Sequence, residues 1–146
     1  MITDSITQKI GEALKAHDEI RLSTLRLLSS ALNYEFIAKQ HKLSEDEELI
    51  VVRKEAKKRK EAIEAYEKAG YKDRADKEAK ELAILQEYLP PEISEDEIAK
   101  LVGEAIKETG AASIKDIGKV IGLVKTKTKG AADGAVIANM VRSKLS

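Results

Sequence analysis

The sequence contains no cysteine and no tryptophan, and only two of its 146 residues are proline. The absence of cysteine excludes disulfides, thiolate nucleophiles and cysteine metal sites, and it fits a reducing compartment. No apolar run approaches the roughly 20 residues of a transmembrane helix. The segment after Met1 also lacks the apolar core of a signal peptide. We therefore expect a cytoplasmic protein with no membrane partner.

The chain also lacks net charge, because 26 Lys and Arg balance 26 Asp and Glu. No global field therefore attracts a polyanion. The distribution is uneven, however: residues 91–110 carry two basic and six acidic side chains, whereas residues 111–146 carry seven basic and two acidic ones. Such an asymmetry can steer an anionic partner to one part of the molecule.

What the chain does have is apolar residues at helical spacing, while the alternation typical of strands never persists. The sequence therefore predicts an all-α protein. One example is a helix over about residues 18–40, on which Leu25, Leu28, Leu32 and Phe36 form the inward stripe.

Pro90 and Pro91 form the clearest boundary, because two successive proline rings remove backbone donors and restrict the preceding residue. No helix can run through this pair. We expect an N-terminal helical domain of four helices over residues 1–90 and a small C-terminal domain of three helices over residues 91–146.

Capping residues mark several helix ends. Ser44 with Glu47 predicts a capping box at the start of the third helix, and Gly70 predicts its left-handed C-terminal cap. Asp73 is the predicted start of the fourth helix and Ser113 that of the sixth.

Catalytic machinery is scarce. His17 and His41 are far apart and lack metal-ligand spacing, and Ser29 and Ser30 lie on a helix without a suitably spaced base. No phosphate-binding glycine loop occurs. The sequence thus predicts no catalytic residue, no metal ion and no cofactor.

A basic run over residues 53–60 is the first candidate binding feature. Because neighbouring glutamates can pair with it along a helix, a solvated charged face is the favoured interpretation. The alternative is a phosphate-contacting ridge, which would position a nucleic acid without reading its sequence. Its members would be Arg53, Lys57 and Lys60.

The last third of the chain holds the second candidate. Gly118 and Gly122 lie one helical turn apart, and each costs about 1 kcal/mol relative to Ala in a helix. They should therefore allow a close approach, either of a neighbouring helix within the bundle, which we favour, or of a partner. The candidate phosphate contacts are the lysines at the same end of the chain: Lys119, Lys125, Lys127 and Lys129.

Gly130 then leads to the start of a last helix, an arrangement that favours phosphate. Asp133 before Gly134 complicates this, because its carboxylate would occupy the N–H groups that an anion needs. We therefore expect lysine side chains, rather than a backbone cradle, to contact phosphates. With four tyrosines and one phenylalanine, a stacking platform for single-stranded bases is not expected.

Three motifs together resemble the GatB/YqeY family, and the whole chain resembles its stand-alone YqeY-like members. They are Tyr88–Ser94 with its two prolines, Gly118–Gly122 and Lys129–Gly134. The resemblance implies an all-helical fold with an N-terminal helical domain. It also implies a small C-terminal domain shared with the tail of the B subunit of the tRNA-dependent amidotransferase.

In that enzyme the tail helps to hold tRNA, and family membership would suggest carbon–nitrogen ligase activity with glutamine as amido-N-donor. Since the residues of neither amidotransferase site are matched here, we expect a non-catalytic tRNA-binding or amidotransferase-associated module of translation. Two alternatives stay open: a component of a glutamine-dependent amidotransferase acting with other subunits, or a protein–protein adaptor.

Overall fold

The computed structural model describes residues 1–145, which form seven α-helices, one short 3-10 helix and no strand. The predicted all-α fold is confirmed. The helices are α1 (Ile2–Lys15), α2 (Glu19–Lys39), α3 (Glu45–Ala69), α4 (Lys72–Gln86), α5 (Glu95–Thr109), the 3-10 turn Ile114–Asp116, α6 (Ile117–Lys127) and α7 (Gly134–Leu145). None of these helices is long and apolar enough to cross a bilayer.

The chain divides into two compact units, Met1–Leu89 and a second that begins at Pro90. In the first unit, α3 and α4 form a hairpin, α1 packs on α2, and α2 contacts both helices of the hairpin. The hairpin turns at Gly70, whose φ of 81° is the left-handed cap expected there. The apolar core consists of residues from all four helices and from Leu43: Ile6, Ala13, Leu25, Leu28, Leu32, Leu43, Val51, Val52, Ile84 and Leu85.

The start of α1 is held by a carboxylate from α3. Glu48 accepts hydrogen bonds from the backbone N–H groups of Ile2 (3.2 Å) and Thr3 (2.6 Å), and also from the Thr3 hydroxyl. The first N–H groups of a helix have no intrahelical partner, so a side chain from elsewhere can satisfy them. Glu48 itself is only 1% exposed.

The second unit packs α5, α6 and α7 around one core. Ser94 accepts from the backbone N–H of Glu97 and begins α5, and Gly110 ends that helix in the left-handed conformation. The buried residues are Ile98, Val102 and Ala105 of α5, Val120 and Val124 of α6, Ala132, and Ile137 and Val141 of α7.

Three local expectations were wrong. Helix α4 begins at Lys72, so Asp73 lies inside the first turn and complements the helix dipole instead of capping it. Ser113 makes no side-chain cap, because the 3-10 turn intervenes and α6 begins only at Ile117. Phe36 is 46% exposed, because it lies in the last turn of α2 and lines a surface groove.

Candidate nucleic-acid interface

The outer side of α6 carries the residues that the sequence singled out. Gly118, Lys119, Gly122, Lys125 and Thr126 are all exposed, at the three- and four-residue spacing that places them along one side of a helix. We call this set the α6 face. The opposite side of the same helix buries Val120 and Val124. The core therefore fixes which side of α6 faces solvent.

At both glycines of the α6 face, the space that a side chain would occupy is empty. A Cβ atom built on Gly118 or Gly122 would find no atom within 4 Å outside its own local helix. Packing inside the bundle, which the sequence favoured, is therefore wrong for both residues. The backbone at these positions is therefore exposed and accessible to a binding partner.

Lys125 lies across the beginning of α7. A Cβ built on Gly134 would come within 3.0 Å of the Lys125 Cε and 3.1 Å of its Nζ, so Gly134 makes room for this side chain. Asp133 accepts from the backbone N–H of Ala135 at 2.8 Å and so uses part of the helix terminus. The ammonium thus lies at the positive end of the α7 dipole.

The lysines on and near the α6 face differ in whether a carboxylate forms an ion pair with them. Lys127 forms an ion pair with Glu108 of α5 at 2.7 Å. Lys119 and Lys125 form no ion pair with any residue between 1 and 145. Of these three, Lys119 and Lys125 are the better placed for an external anion.

Lys129 lies just after the end of α6 in an uncommon backbone conformation. Its φ is 51°, in the left-handed region, and that of Gly130 is 78°. The N–H of Gly130 donates to the carbonyl of Lys125, and that of Lys129 to Thr126, which is the Schellman pattern of helix ends. A glycine usually takes the position of Lys129, because a Cβ there costs about 1–2 kcal/mol. A lysine held here keeps a cation at the end of the α6 face.

The second set of candidate residues lies on α3 in the other unit. Arg53, Lys57 and Lys60 follow one another at four- and three-residue spacing, and Lys57 and Lys60 are exposed while Arg53 is half-buried. Burial lowers the pKa of Arg53 from its ordinary value, and the charge of Asp46 opposes this. The guanidinium remains a cation at neutral pH.

Not every cation of the basic run faces solvent. Arg59 points to α4, where its guanidinium lies 3.2 Å from Glu78 and 3.3 Å from Glu81. Burial raises the pKa of Glu81, although the Arg59 charge opposes it. Arg59 therefore holds the α3–α4 hairpin together rather than contributing to a surface ridge.

One cation was missed by the sequence analysis. Lys115 is exposed in the 3-10 turn immediately before α6, three residues before Gly118. The spacing of three residues between Lys115 and Gly118 could have indicated that both lie at the same end of the unit. The 3-10 turn has a different pitch from an α-helix, so helical spacing alone did not predict the position of Lys115. Lys115 extends the basic character of this end of the unit.

A further charged pair lies in the first unit, away from α3. The Arg21 guanidinium donates to both carboxylate oxygens of Glu87, at 2.8 and 3.1 Å, and so ties the start of α2 to the end of α4. The hydrogen bond from Arg21 lowers the pKa of Glu87 below its ordinary 4.5 and raises that of Arg21.

The comparison with protein families decides what this chain is related to. A family model described as Yqey-like protein matches residues 3–145. The chain belongs to the YqeY-like family.

Two relatives of this YqeY-like protein come from yeasts. An uncharacterized protein of Schizosaccharomyces pombe is 32% identical over 89 residues, which cover 61% of this chain and 72% of that protein. The protein of Vanderwaltozyma polyspora named altered inheritance of mitochondria protein 41, mitochondrial, is 28% identical over 119 residues, which cover 77% of this chain and 64% of that one. Neither name states a substrate or a reaction.

Proposed function

We propose that this YqeY-like protein is a non-catalytic module that binds the phosphate backbone of RNA, with tRNA as the first candidate. The observation that supports it most is the α6 face. Two helix glycines lie open to solvent with no packing role inside the unit. Beside them stand Lys119 and Lys125, cations that no described carboxylate pairs with.

Gly118 and Gly122 have no Cβ atom on the solvent side of α6. At a helix glycine a partner can approach the backbone more closely than at any other residue. Flanking lysines then attract phosphate groups, and binding releases the counterions that surround a nucleic acid. Such contacts fix position without reading bases, which suits recognition of an RNA by its shape.

The ridge of Arg53, Lys57 and Lys60 on α3 is proposed as a second phosphate-binding element. It lies in a different unit, so its contribution can be tested separately from that of the α6 face. The ion pair to Glu108 leaves Lys127 the weakest contributor among the proposed lysines.

The test is tRNA binding over a series of salt concentrations. We expect the logarithm of the affinity to fall steeply with the logarithm of salt, and Lys119→Ala and Lys125→Ala to reduce that slope by about 1 each. Lys127→Ala should change it less. Lys100→Ala is the matched control, since Lys100 is an exposed lysine of α5 outside the α6 face.

Two results would reject the proposal. One is binding that is insensitive to salt. The other is an equal effect of Lys119→Ala, Lys125→Ala and the Lys100 control, because a general change of net charge would then explain all three.

The same open glycines also suit a protein partner, since two helices approach closely where side chains are small. A protein–protein adaptor is therefore the second candidate function. It predicts that Gly122→Leu abolishes binding to that protein while removal of the lysine charges has little effect. The tRNA proposal predicts that both kinds of change weaken binding.

Association with amidotransferase subunits also belongs to this proposal, on the strength of the family resemblance. The alternative is a component of a glutamine-dependent carbon–nitrogen ligase that acts with other subunits. Purified protein would be assayed alone and with amidotransferase subunits for glutamine-dependent amidation of tRNA-bound glutamate. Activity that depends on this chain would replace the non-catalytic proposal.

The proposed location is the cytoplasm. The name of the Vanderwaltozyma polyspora relative assigns that relative to mitochondria, so fractionation with antibody detection is the deciding measurement.

A further inference from the structure

A groove in the first unit is lined by residues that the proposed RNA contacts do not use. It has a volume of about 430 Å³ and lies between α1, the second half of α2 and the loop that follows α2. Its floor is the buried apolar set Ile6, Leu32 and Leu43. The ring of Phe36, 46% exposed, forms part of its wall. Its volume falls within the range of small-molecule sites.

Four of the polar side chains around this floor have no hydrogen-bond partner among residues 1–145. By contrast, five other helix hydroxyl groups donate to a carbonyl three or four residues earlier: those of Ser5, Ser23, Thr24, Thr109 and Thr126. This is the usual outcome for Ser and Thr in a helix. The groove residues Thr7, Ser29, Ser30 and Asn33 make no side-chain hydrogen bond with any residue between 1 and 145.

The charged groups that line the groove are also of one sign. Asp and Glu make up 26 of the 146 residues, yet none of the Asp and Glu residues between 1 and 145 lines the groove. In the part of the chain that the structure describes, Lys42 is the one charged residue that lines it. The Lys42 ammonium is well exposed and lies 3.7 Å from Asp4, a distance at which an exposed ion pair is weak. An anionic group can therefore compete for it.

We infer that this groove binds a nucleotide: a base over the apolar floor and against Phe36, with its phosphate towards Lys42. A flat base suits the phenyl ring. Its edge offers both donors and acceptors, which hydroxyl and amide groups can match because each can donate and accept. A nucleotide carries no positive charge that would call for a carboxylate. The source can be a free mononucleotide or an unpaired nucleotide of an RNA.

The experiment uses the full chain labelled with ¹⁵N and follows its amide resonances. One arm adds each of the four ribonucleoside monophosphates, and the other adds a short unstructured RNA. We expect shifts at the amides of Thr7, Ser30 and Asn33. Response to the monophosphates identifies a free nucleotide as sufficient, whereas response to the RNA alone identifies an unpaired nucleotide held in a strand.

Two variants test the site itself. Ser30→Leu combined with Asn33→Leu replaces polar groups by apolar bulk at exposed helix positions, and Phe36→Ala removes the ring. Each should weaken binding about tenfold or more. Ser23→Leu is the matched control, because Ser23 is an exposed serine of the same helix that does not line the groove. Thermal unfolding confirms that each variant is folded.

The inference is overturned if neither probe shifts the groove amides, or if the folded variants bind as tightly as the Ser23 control. It is independent of the α6 face. Substitution of Lys119 and Lys125 should leave mononucleotide binding unchanged, so the two ideas can fail separately.

Discussion

Replacement of Gly122 by alanine should make the protein more stable and, at the same time, a weaker RNA binder. Gly122 lies inside the 11-residue helix α6, is exposed, and has no atom within 4 Å of a Cβ built on it. Alanine therefore meets no clash. It should gain the full difference in helix propensity, about 1 kcal/mol. Gly118 lies in the first turn of α6, so Gly118→Ala should gain less.

The stability gain is measurable by thermal unfolding followed by circular dichroism. For a cooperative unit of this size, 1 kcal/mol corresponds to a rise in Tm of about 4–8 °C. Gly11→Ala is the matched control. It also places a Cβ where nothing lies within 4 Å, but on α1 of the other unit. It should stabilise its own unit without changing tRNA affinity.

Whereas stability should rise, the tRNA affinity should fall when Gly122 of the α6 face is replaced. A series of Gly122→Ala, Gly122→Ser and Gly122→Leu should lower tRNA affinity in order of side-chain size, while each variant stays folded. A loss of stability in Gly122→Ala would show that the glycine has a role inside the protein. A stable variant with unchanged tRNA affinity would show that RNA does not approach the helix at this point.

Three further predictions concern the remaining polar groups. Lys129→Gly should relieve the left-handed strain and raise the free energy of unfolding by about 1 kcal/mol, yet weaken tRNA binding; unchanged stability would contradict the strain. Glu48→Ala should lower the free energy of unfolding by about 3 kcal/mol, since it removes charge-assisted hydrogen bonds, and should speed amide exchange at the start of α1 above all. Glu87 has a lowered pKa, so its share of stability is complete above its ordinary value of 4.5 and is lost as the pH falls through the folded-state value. Denaturant unfolding at several acidic pH values should therefore show a shallower pH dependence for Glu87→Gln than for the wild type, and identical curves would rule out this contribution.

The fold could be predicted from the sequence because local signals agree with one another. The hydroxyl of Ser44 and the carboxylate of Glu47 form the reciprocal capping box expected at the start of α3. Gly70 and Gly110 end their helices in the left-handed conformation. Each of these features depends on residues only a few positions apart, so spacing alone carries the information.

The candidate site could be predicted only in part, because its properties depend on residues far apart in the chain. Lys125 and Lys127 look alike in the sequence, yet Lys127 is paired with Glu108, 19 positions earlier. Whether Gly122 faces a helix or solvent is likewise decided by how Val120 and Val124 enter the core. Helical periodicity predicts which residues share one side of a helix. It does not predict whether a neighbouring helix or solvent covers that side.

The carboxylate that caps α1 has a consequence for synthesis on the ribosome. Glu48 follows Ile2 by 46 residues. At about 5–20 residues per second, Glu48 is made about 2–9 s after Ile2, whose backbone N–H donates to it. During that interval the first N–H groups of α1 lack the carboxylate that accepts from them in the folded protein. Helix α1 can therefore be completed only after the beginning of α3 has left the exit tunnel.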